Sequence, residues 1–370
     1  MIAASLPSQE TLLMGPGPSC VWPEVYEAIA RPTLGHLDPN FIAIMDETKS
    51  LLQQVMGTRN HVTFPVSGTG SAGMEASFVN LVEPGDRVLV LINGVFGQRM
   101  RDVAERLGAQ VDALEFEWGT PVRPQAVADQ LQRNSYRLIA IVHAETSTGV
   151  LNPVAKIGEL VWPTGALYLV DTVTSLGGID VMADAWGAAA VYSGTQKCLS
   201  CPPGLSPLTF SERAIEKLKN RKTKVPNWYL DLSMIVNYWE GAKRAYHHTA
   251  PINMLYALRQ ALQCLFGEGL ENSFRRHREC HQALVAGLEK IGLSMLVEAP
   301  CRLPMLNAVK VPDGVDEAAV RAALLKDHNI EIGAGLGPLA GKIWRIGLMG
   351  HTARIENVER LLAALRKTIR

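Results

Sequence analysis

The stretch YSGTQKCLSC, residues 192–201, holds a lysine, Lys197, in a small polar turn after the apolar run Ala188–Val191. Such a lysine is a surface charge, a neighbour of a metal site, or a nucleophile able to bond a carbonyl carbon. Four other stretches set chemistry-bearing residues just beyond a short apolar run. SGTGSAG, residues 67–73, puts Thr69, Gly70 and Ser71 between HVTFPVS and a helical pattern. Small residues there let backbone N–H groups close on a phosphate, and the helix dipole favours the anion. DRVLVLI leads to Phe96, LIAIVHAE to the hydroxyls of Thr146 and Ser147, and ALYLV to Asp171. Phe96 alone reads as core, and an aspartate such as Asp171 serves equally well as a cap. Gln196 stands beside Lys197.

A phosphate turn, an aromatic plate, hydroxyls, a carboxylate and a lysine together suit pyridoxal 5′-phosphate. Its aldehyde needs a lysine for an imine, and its pyridinium nitrogen needs an anionic partner to stay protonated. A dinucleotide competes, because Gly68, Gly70 and Gly73 match G-x-G-x-x-G. That fingerprint also requires an acidic residue at the end of the next strand. Here the strand ends LVLINGVFG, with neither Asp nor Glu, so the nicotinamide reading loses its second requirement. Cys198 and Cys201 form C-x-x-C, but a structural zinc needs four ligands and no second pair stands near. They read as small buried thiols beside Lys197. His277 and His281, one helical turn apart in HRECH, read as part of a solvated, charge-rich face. No metal is expected.

These residues need a scaffold. Between about residues 60 and 200, continuous apolar runs alternate with helical patterns, which predicts parallel strands buried on both faces. Ligands gather at the carboxyl ends of such strands. Upstream, Phe41, Ile44, Met45, Leu51, Leu52, Val55 and Met56 predict one amphipathic helix. After about residue 255 come two helices, the strand-like MLNAVKVP, the helix VDEAAVRAALLKDH, short strands at IEIGAG and IWRIGLM, and a terminal helix. The expected fold is α/β: a large doubly wound, mostly parallel sheet domain with a smaller C-terminal α/β domain. The division falls at residues 1–20 (an N-terminal segment serving the site and the small domain), 21–255 and 256–370.

Composition narrows the partners. Over 370 residues, Lys+Arg 36 balances Asp+Glu 36, which disfavours nucleic acid or an anionic membrane as partner. The basic run Lys217–Lys224 reads as a solvated helix end. No apolar stretch is long enough to span a bilayer, and the N-terminus lacks the basic start and apolar core of a signal peptide. The six cysteines are scattered, so reduced thiols in a cytoplasmic protein are expected.

Eight stretches, in order, match one family: LLMGPGPS (12–19), SGTGSAGMEA (67–76), GVFGQR (94–99), HAETSTGV (143–150), LVDTVTSLGG (169–178), YSGTQK (192–197), YHHTAPIN (246–253) and WRIGLMG (344–350). Almost end to end, the sequence resembles the fold-type I, class V aminotransferases of the alanine–glyoxylate and serine–pyruvate group. The resemblance implies that Lys197 carries the cofactor as an internal aldimine and shuttles the substrate proton. Asp171 pairs with the pyridine nitrogen, Val173 packs under the ring, and Phe96 stacks on it where some relatives have tryptophan. Thr69, Gly70 and Ser71 hold the phosphate with Gln196, although some relatives carry a histidine at the Ser71 position. Thr146 lies near the phenolic oxygen. Tyr246 and Thr249 reach the phosphate of a partner subunit, making a homodimer with shared sites. Arg345 forks onto the substrate carboxylate, and Gly17 crowds the side-chain space so that small amino acids fit. The implied reaction moves an amino group from alanine or serine to glyoxylate or pyruvate in ping-pong half-reactions. Alternatives are a ureidoglycine–glyoxylate aminotransferase, a lyase or cysteine desulfurase of the same fold, a non-catalytic relative, and the nicotinamide oxidoreductase.

Overall fold

The computed structural model describes residues 10–241 and 243–369. Most of the signal-peptide reading at the N-terminus, and the last residue of the chain, lie outside them. A seven-stranded sheet runs edge to edge through Val62–Ser67, Leu205–Phe210, Ala190–Tyr192, Leu167–Asp171, Leu138–Val142, Arg87–Ile92 and Gln110–Glu115. Leu205–Phe210 is antiparallel to both neighbours, and every other adjacent pair is parallel. Six strands therefore share one direction, and Ser67, Ile92, Val142, Asp171 and Tyr192 end on the same edge. The residues predicted to do chemistry follow those ends.

Two strands of this sheet lay outside the sequence reading. Gln110–Glu115 is an edge strand without a fully buried residue, so it lacks the continuous apolar run of the central strands. Leu205–Phe210 carries Pro207 in an interior position, which removes a ladder donor. Pro207 accepts from the Ser193 amide at 2.7 Å, so its missing N–H would face Ser193. The Ser206 hydroxyl instead donates to the Ser193 carbonyl at 2.5 Å. Opposite Pro207 lies Pro65, on the edge strand, where an absent N–H is tolerated.

The helix Pro39–Val55 buries Phe41, Met45, Thr48, Leu52 and Val55, the face the spacing predicted. One apolar core runs from Val21 to Leu265 around the large sheet. A second joins Leu12, Met14 and Cys20 to residues 280–365 around a small antiparallel sheet of Leu306–Lys310, Ile343–Gly347 and Gly333–Ala334. Residue 255 lies inside the helix Ile252–Glu268, whose buried face belongs to the first core. The N-terminal strand Leu12–Leu13 pairs parallel with Ile330–Glu331, and the Met14 carbonyl accepts from Gly347 at 2.7 Å. The segment that follows is thus carried by the second core toward the large sheet.

His277 corrects the solvated-face expectation. It is fully buried, with Nδ1 2.7 Å from the Ser273 carbonyl and Nε2 accepting the Gly350 amide at 2.9 Å. Burial holds its pKa down to about 4, so it is a neutral pin between a helix and a turn. His281 is half-buried against Asn307 at 2.6 Å. The basic run divides similarly. Lys219, Lys222 and Lys224 are exposed, whereas Lys217 turns inward to Glu83 at 2.6 Å.

Candidate active site

Lys197 lies in the turn after Ala190–Tyr192 and is 7% exposed. Its Nζ donates to the Pro16 carbonyl, so the N-terminal segment closes directly over the amine. Burial, aided by the Arg345 charge, holds its pKa down to about 8. A neutral amine, the nucleophilic form, is therefore accessible close to neutral pH. Gly17 makes the close approach possible. Its φ of 104° is left-handed, and an added Cβ would stand 2.6 Å from Lys197 Nζ.

Asp171 ends its strand 3% exposed. Oδ1 accepts the Val173 amide at 2.7 Å and Oδ2 accepts the Tyr192 hydroxyl at 2.7 Å. Burial pushes its pKa up to about 6 against those bonds and the nearby Lys197 and Arg99 charges. It remains an anion at pH 7, and each oxygen keeps lone-pair capacity for a further donor. Arg345, on the strand Ile343–Gly347, is 7% exposed. Its Nε donates to the Ala334 carbonyl at 2.6 Å and an Nη to the Thr146 carbonyl at 3.2 Å. Burial lowers its pKa to about 10, which leaves it a cation with its fork only partly used.

The glycine turn opens the helix Gly70–Leu81, where Thr69 makes no side-chain cap. The Ala72 amide donates to the Thr69 carbonyl at 2.7 Å, and the Gly70 and Ser71 amides of the first turn are left for an external acceptor. An added Cβ at Gly70 would meet Val173 Cγ2 at 3.0 Å, and one at Gly194 would meet Gln196 Oε1 at 2.8 Å and Val173 Cγ1 at 3.3 Å. Gly70, Val173 and Gln196 therefore converge, and Gln196 Oε1 is buried without a partner. Thr69 and Ser71 are exposed at the rim. Gly73 serves packing, since a Cβ there would overlap the Ser206 hydroxyl. Its place in G-x-G-x-x-G thus reflects close contact between helix and strand.

Phe96 sits half-buried in the first turn of the helix Val95–Arg106, with the Arg99 guanidinium 5.1 Å from its ring centroid. Tyr246 and Thr249 stand apart from the cluster. Tyr246 is 58% exposed, and the two hydroxyls lie 3.3 Å from each other. Between them His248 reaches Ser67, at the start of the glycine turn, at 3.1 Å. The thiols of Cys198 and Cys201 are buried, as expected. Burial pushes Cys198 up to about 12 and raises Cys201 as well.

Sequence reasoning missed Tyr192 and Glu145. Tyr192 ends an apolar run and signalled only core, although its hydroxyl orients Asp171. Glu145 is fully buried in HAETSTG, and a glutamate at a strand end is a fair signal that went unused. Burial pushes it up to about 7, with the Asp171 charge adding.

The residues present fit pyridoxal 5′-phosphate on structural grounds: uncapped helix amides at a small-residue turn, an orphaned buried amide oxygen, an oriented buried carboxylate and a buried amine. The family model of the class-V aminotransferases matches residues 23–361. The alanine–glyoxylate aminotransferase of Callithrix jacchus is 43% identical over 99% of this chain and 88% of that protein. The (S)-ureidoglycine–glyoxylate transaminase of Bacillus subtilis is 40% identical over 95% and 89%. A solved structure of an alanine–glyoxylate aminotransferase from Nostoc sp. superposes with a TM-score of 0.97 at 50% identity, covering 100% of this chain and 98% of that one. The chain belongs to the class V aminotransferases, fold-type I enzymes that work with pyridoxal 5′-phosphate. It is an aminotransferase of the group containing the alanine–glyoxylate and ureidoglycine–glyoxylate enzymes.

Proposed function

We propose that the enzyme moves an amino group from alanine or serine to glyoxylate or pyruvate. The observation that carries this reading is the enclosure of Lys197: the Pro16–Gly17 backbone packs on the amine, and Arg345 lies near enough to lower its pKa. Little space is left for a large side chain beside a group that would hold a carboxylate. The cofactor, when bound, supplies an electron sink for a carbanion at the substrate Cα.

The rest is the work of this chain. Lys197 would hold the cofactor through its amine, and that amine would hold and return the substrate proton. Asp171, oriented by Tyr192 and Val173, keeps the pyridine nitrogen protonated. Val173 and Phe96 would pack against the cofactor ring, and Thr146 would lie near its phenolic oxygen. The 69–71 turn and Gln196 hold the phosphate. Arg345 presents its free donors to the substrate carboxylate. Tyr246 and Thr249, an exposed hydroxyl pair, serve the phosphate of a partner subunit in a homodimer. The exposed Trp228 and Tyr229 support an assembly face, and the free cysteines support a reducing, cytoplasmic setting. No helix among the described residues is long and apolar enough to cross a membrane. We read the two apolar cores as the large and small domains, with the N-terminal segment serving both.

The buried Cys198 thiol, raised to about 12, speaks against a desulfurase, which needs a mobile thiolate. The Bacillus subtilis relative keeps ureidoglycine as the second donor reading. Single-turnover rates with alanine, serine and ureidoglycine, each followed by glyoxylate or pyruvate, separate the readings. Alanine or serine should exceed ureidoglycine in kcat/KM by at least about tenfold, the discrimination one small group supports. The reverse order would overturn the proposed donor.

A further inference from the structure

Glu145 has no role in the reading above, and its setting is unusual for a core carboxyl. Oε1 accepts the Ser147 hydroxyl at 2.5 Å and the Ser147 amide at 3.1 Å, while Oε2 is buried without a partner. The Ser147 oxygen accepts in turn the Val95 amide at 3.0 Å. The Gly97 amide also faces the Glu145 carboxyl. Val95 opens the helix that carries Phe96 and Arg99.

That helix has no cap of its own. The position before it is Gly94, which has no side chain to accept from the first turn. Orphan amides at a helix start need acceptors from elsewhere. The 145–147 loop supplies them across the fold, and the approach is so close that a Cβ on Gly94 would overlap Glu145 and the Ser147 hydroxyl. The same loop accepts from Arg345 through the Thr146 carbonyl at 3.2 Å. One short loop thus braces the entry of the Phe96 helix and one edge of the Arg345 fork.

We propose that Glu145 is a positioning residue for the cofactor: with Ser147 it caps the Phe96 helix from outside and so sets the Phe96 ring. The inference rests on the pyridoxal phosphate reading of the site. What the cap requires is the Oε1 acceptor, which a glutamine retains and an alanine lacks. Burial, with the Asp171 charge adding, favours a neutral side chain here, so replacing the acid by its amide should be mild.

The test is titration of cofactor-free wild type, Glu145→Gln, Glu145→Ala and Ser147→Ala with pyridoxal phosphate. Binding is read by quenching of tryptophan fluorescence and by the visible circular dichroism of the bound ring. A lost helix cap corresponds to about tenfold in an equilibrium constant. Glu145→Ala should bind about tenfold more weakly with a diminished dichroic band. Glu145→Gln should stay within about threefold of wild type, and Ser147→Ala, which removes the direct acceptor of the Val95 amide, should lose about as much as Glu145→Ala. Wild-type affinity and dichroism in both alanine variants would overturn the inference while leaving the cofactor reading intact. Equal losses in Glu145→Gln and Glu145→Ala would overturn it too, because charge rather than the acceptor would then matter. Should Glu145→Ala fail to fold, Ser147→Ala carries the test, and unchanged binding there overturns the proposal. Failure of the wild type itself to bind would sink the reading beneath it.

Discussion

Two lysine–carboxylate neighbourhoods in this molecule follow opposite rules. At the periphery of the large sheet, Lys217 meets Glu83 at 2.6 Å and Asp86 at 3.5 Å. Glu83 Oε1 also accepts the Lys222 and Thr223 amides at 2.7 and 2.9 Å. Burial pushes this carboxyl up, yet the bonds from Lys217, Thr223 and Lys222 together bring it down to about 2. At the sheet edge, Lys197 and Asp171 are buried more deeply and are not paired with each other. Lys197 rests on a single carbonyl, and each Asp171 oxygen accepts one bond. Burial then wins, lowering the lysine to about 8 and raising the aspartate to about 6. A saturated ion pair is committed to structure, whereas an under-satisfied lysine and carboxylate remain available for chemistry.

The sharpest break of this comparison is substitution of the two lysines. Lys197→Ala should abolish the visible band formed with pyridoxal phosphate and reduce transamination by about 10⁴-fold, the upper range for a lost proton-transfer group. Lys217→Met should keep the band and lose stability instead. Arg345→Lys comes next: the amino-acid half-reaction should slow by about 10- to 100-fold, a lost bidentate contact to a charged group, with cofactor affinity unchanged. Loss of the cofactor in that variant would place Arg345 in the fold or at the phosphate. Gly17→Ala introduces a side chain at left-handed φ against the amine. It should cost about 1–3 kcal/mol in thermal unfolding and weaken cofactor capture at the same time.

The pH dependences differ in sign and range. Capture requires neutral Lys197, so its rate should rise about tenfold between pH 7 and 9 and level off beyond, given an amine near 8. A rate still climbing at pH 10 would mean an ordinary surface lysine. Glu83 has a depressed folded pKa, so its stabilisation is full above the unfolded value of about 4.3. It is lost as pH falls toward about 2. Glu83→Gln should therefore cost only about 1–2 kcal/mol at pH 7, allowing for solvent screening at the rim. At pH 2 it should cost nearly nothing. Denaturant curves at both pH values check the sign.

Much of this was legible in the residues themselves. Continuous apolar runs marked the central strands because both faces of those strands are covered, and the chemical residues stood just past their ends. Gln110–Glu115 escaped because an edge strand shows no such run, and Leu205–Phe210 because its proline denies a donor that only Ser206 replaces. Lys197, Asp171 and the 69–71 turn could be named from type and position, whereas Arg345 came only from the resemblance carried by WRIGLMG. Glu145 stood at a strand end and its signal went unused, whereas Tyr192 and the Pro16 contact could not be named, since each matters through a partner distant in sequence. His277 misled for the same reason: a charge-rich helix was read as solvated, while the Gly350 turn covers that one position.

The most direct test of the account is one absorbance titration with pyridoxal phosphate, run on wild type, Lys197→Ala and Lys217→Ala. Under the account, wild type and Lys217→Ala both develop a visible band that bleaches with L-serine or L-alanine and returns with glyoxylate, and Lys197→Ala develops none. A band that survives in Lys197→Ala, or none in any of the three, would contradict it.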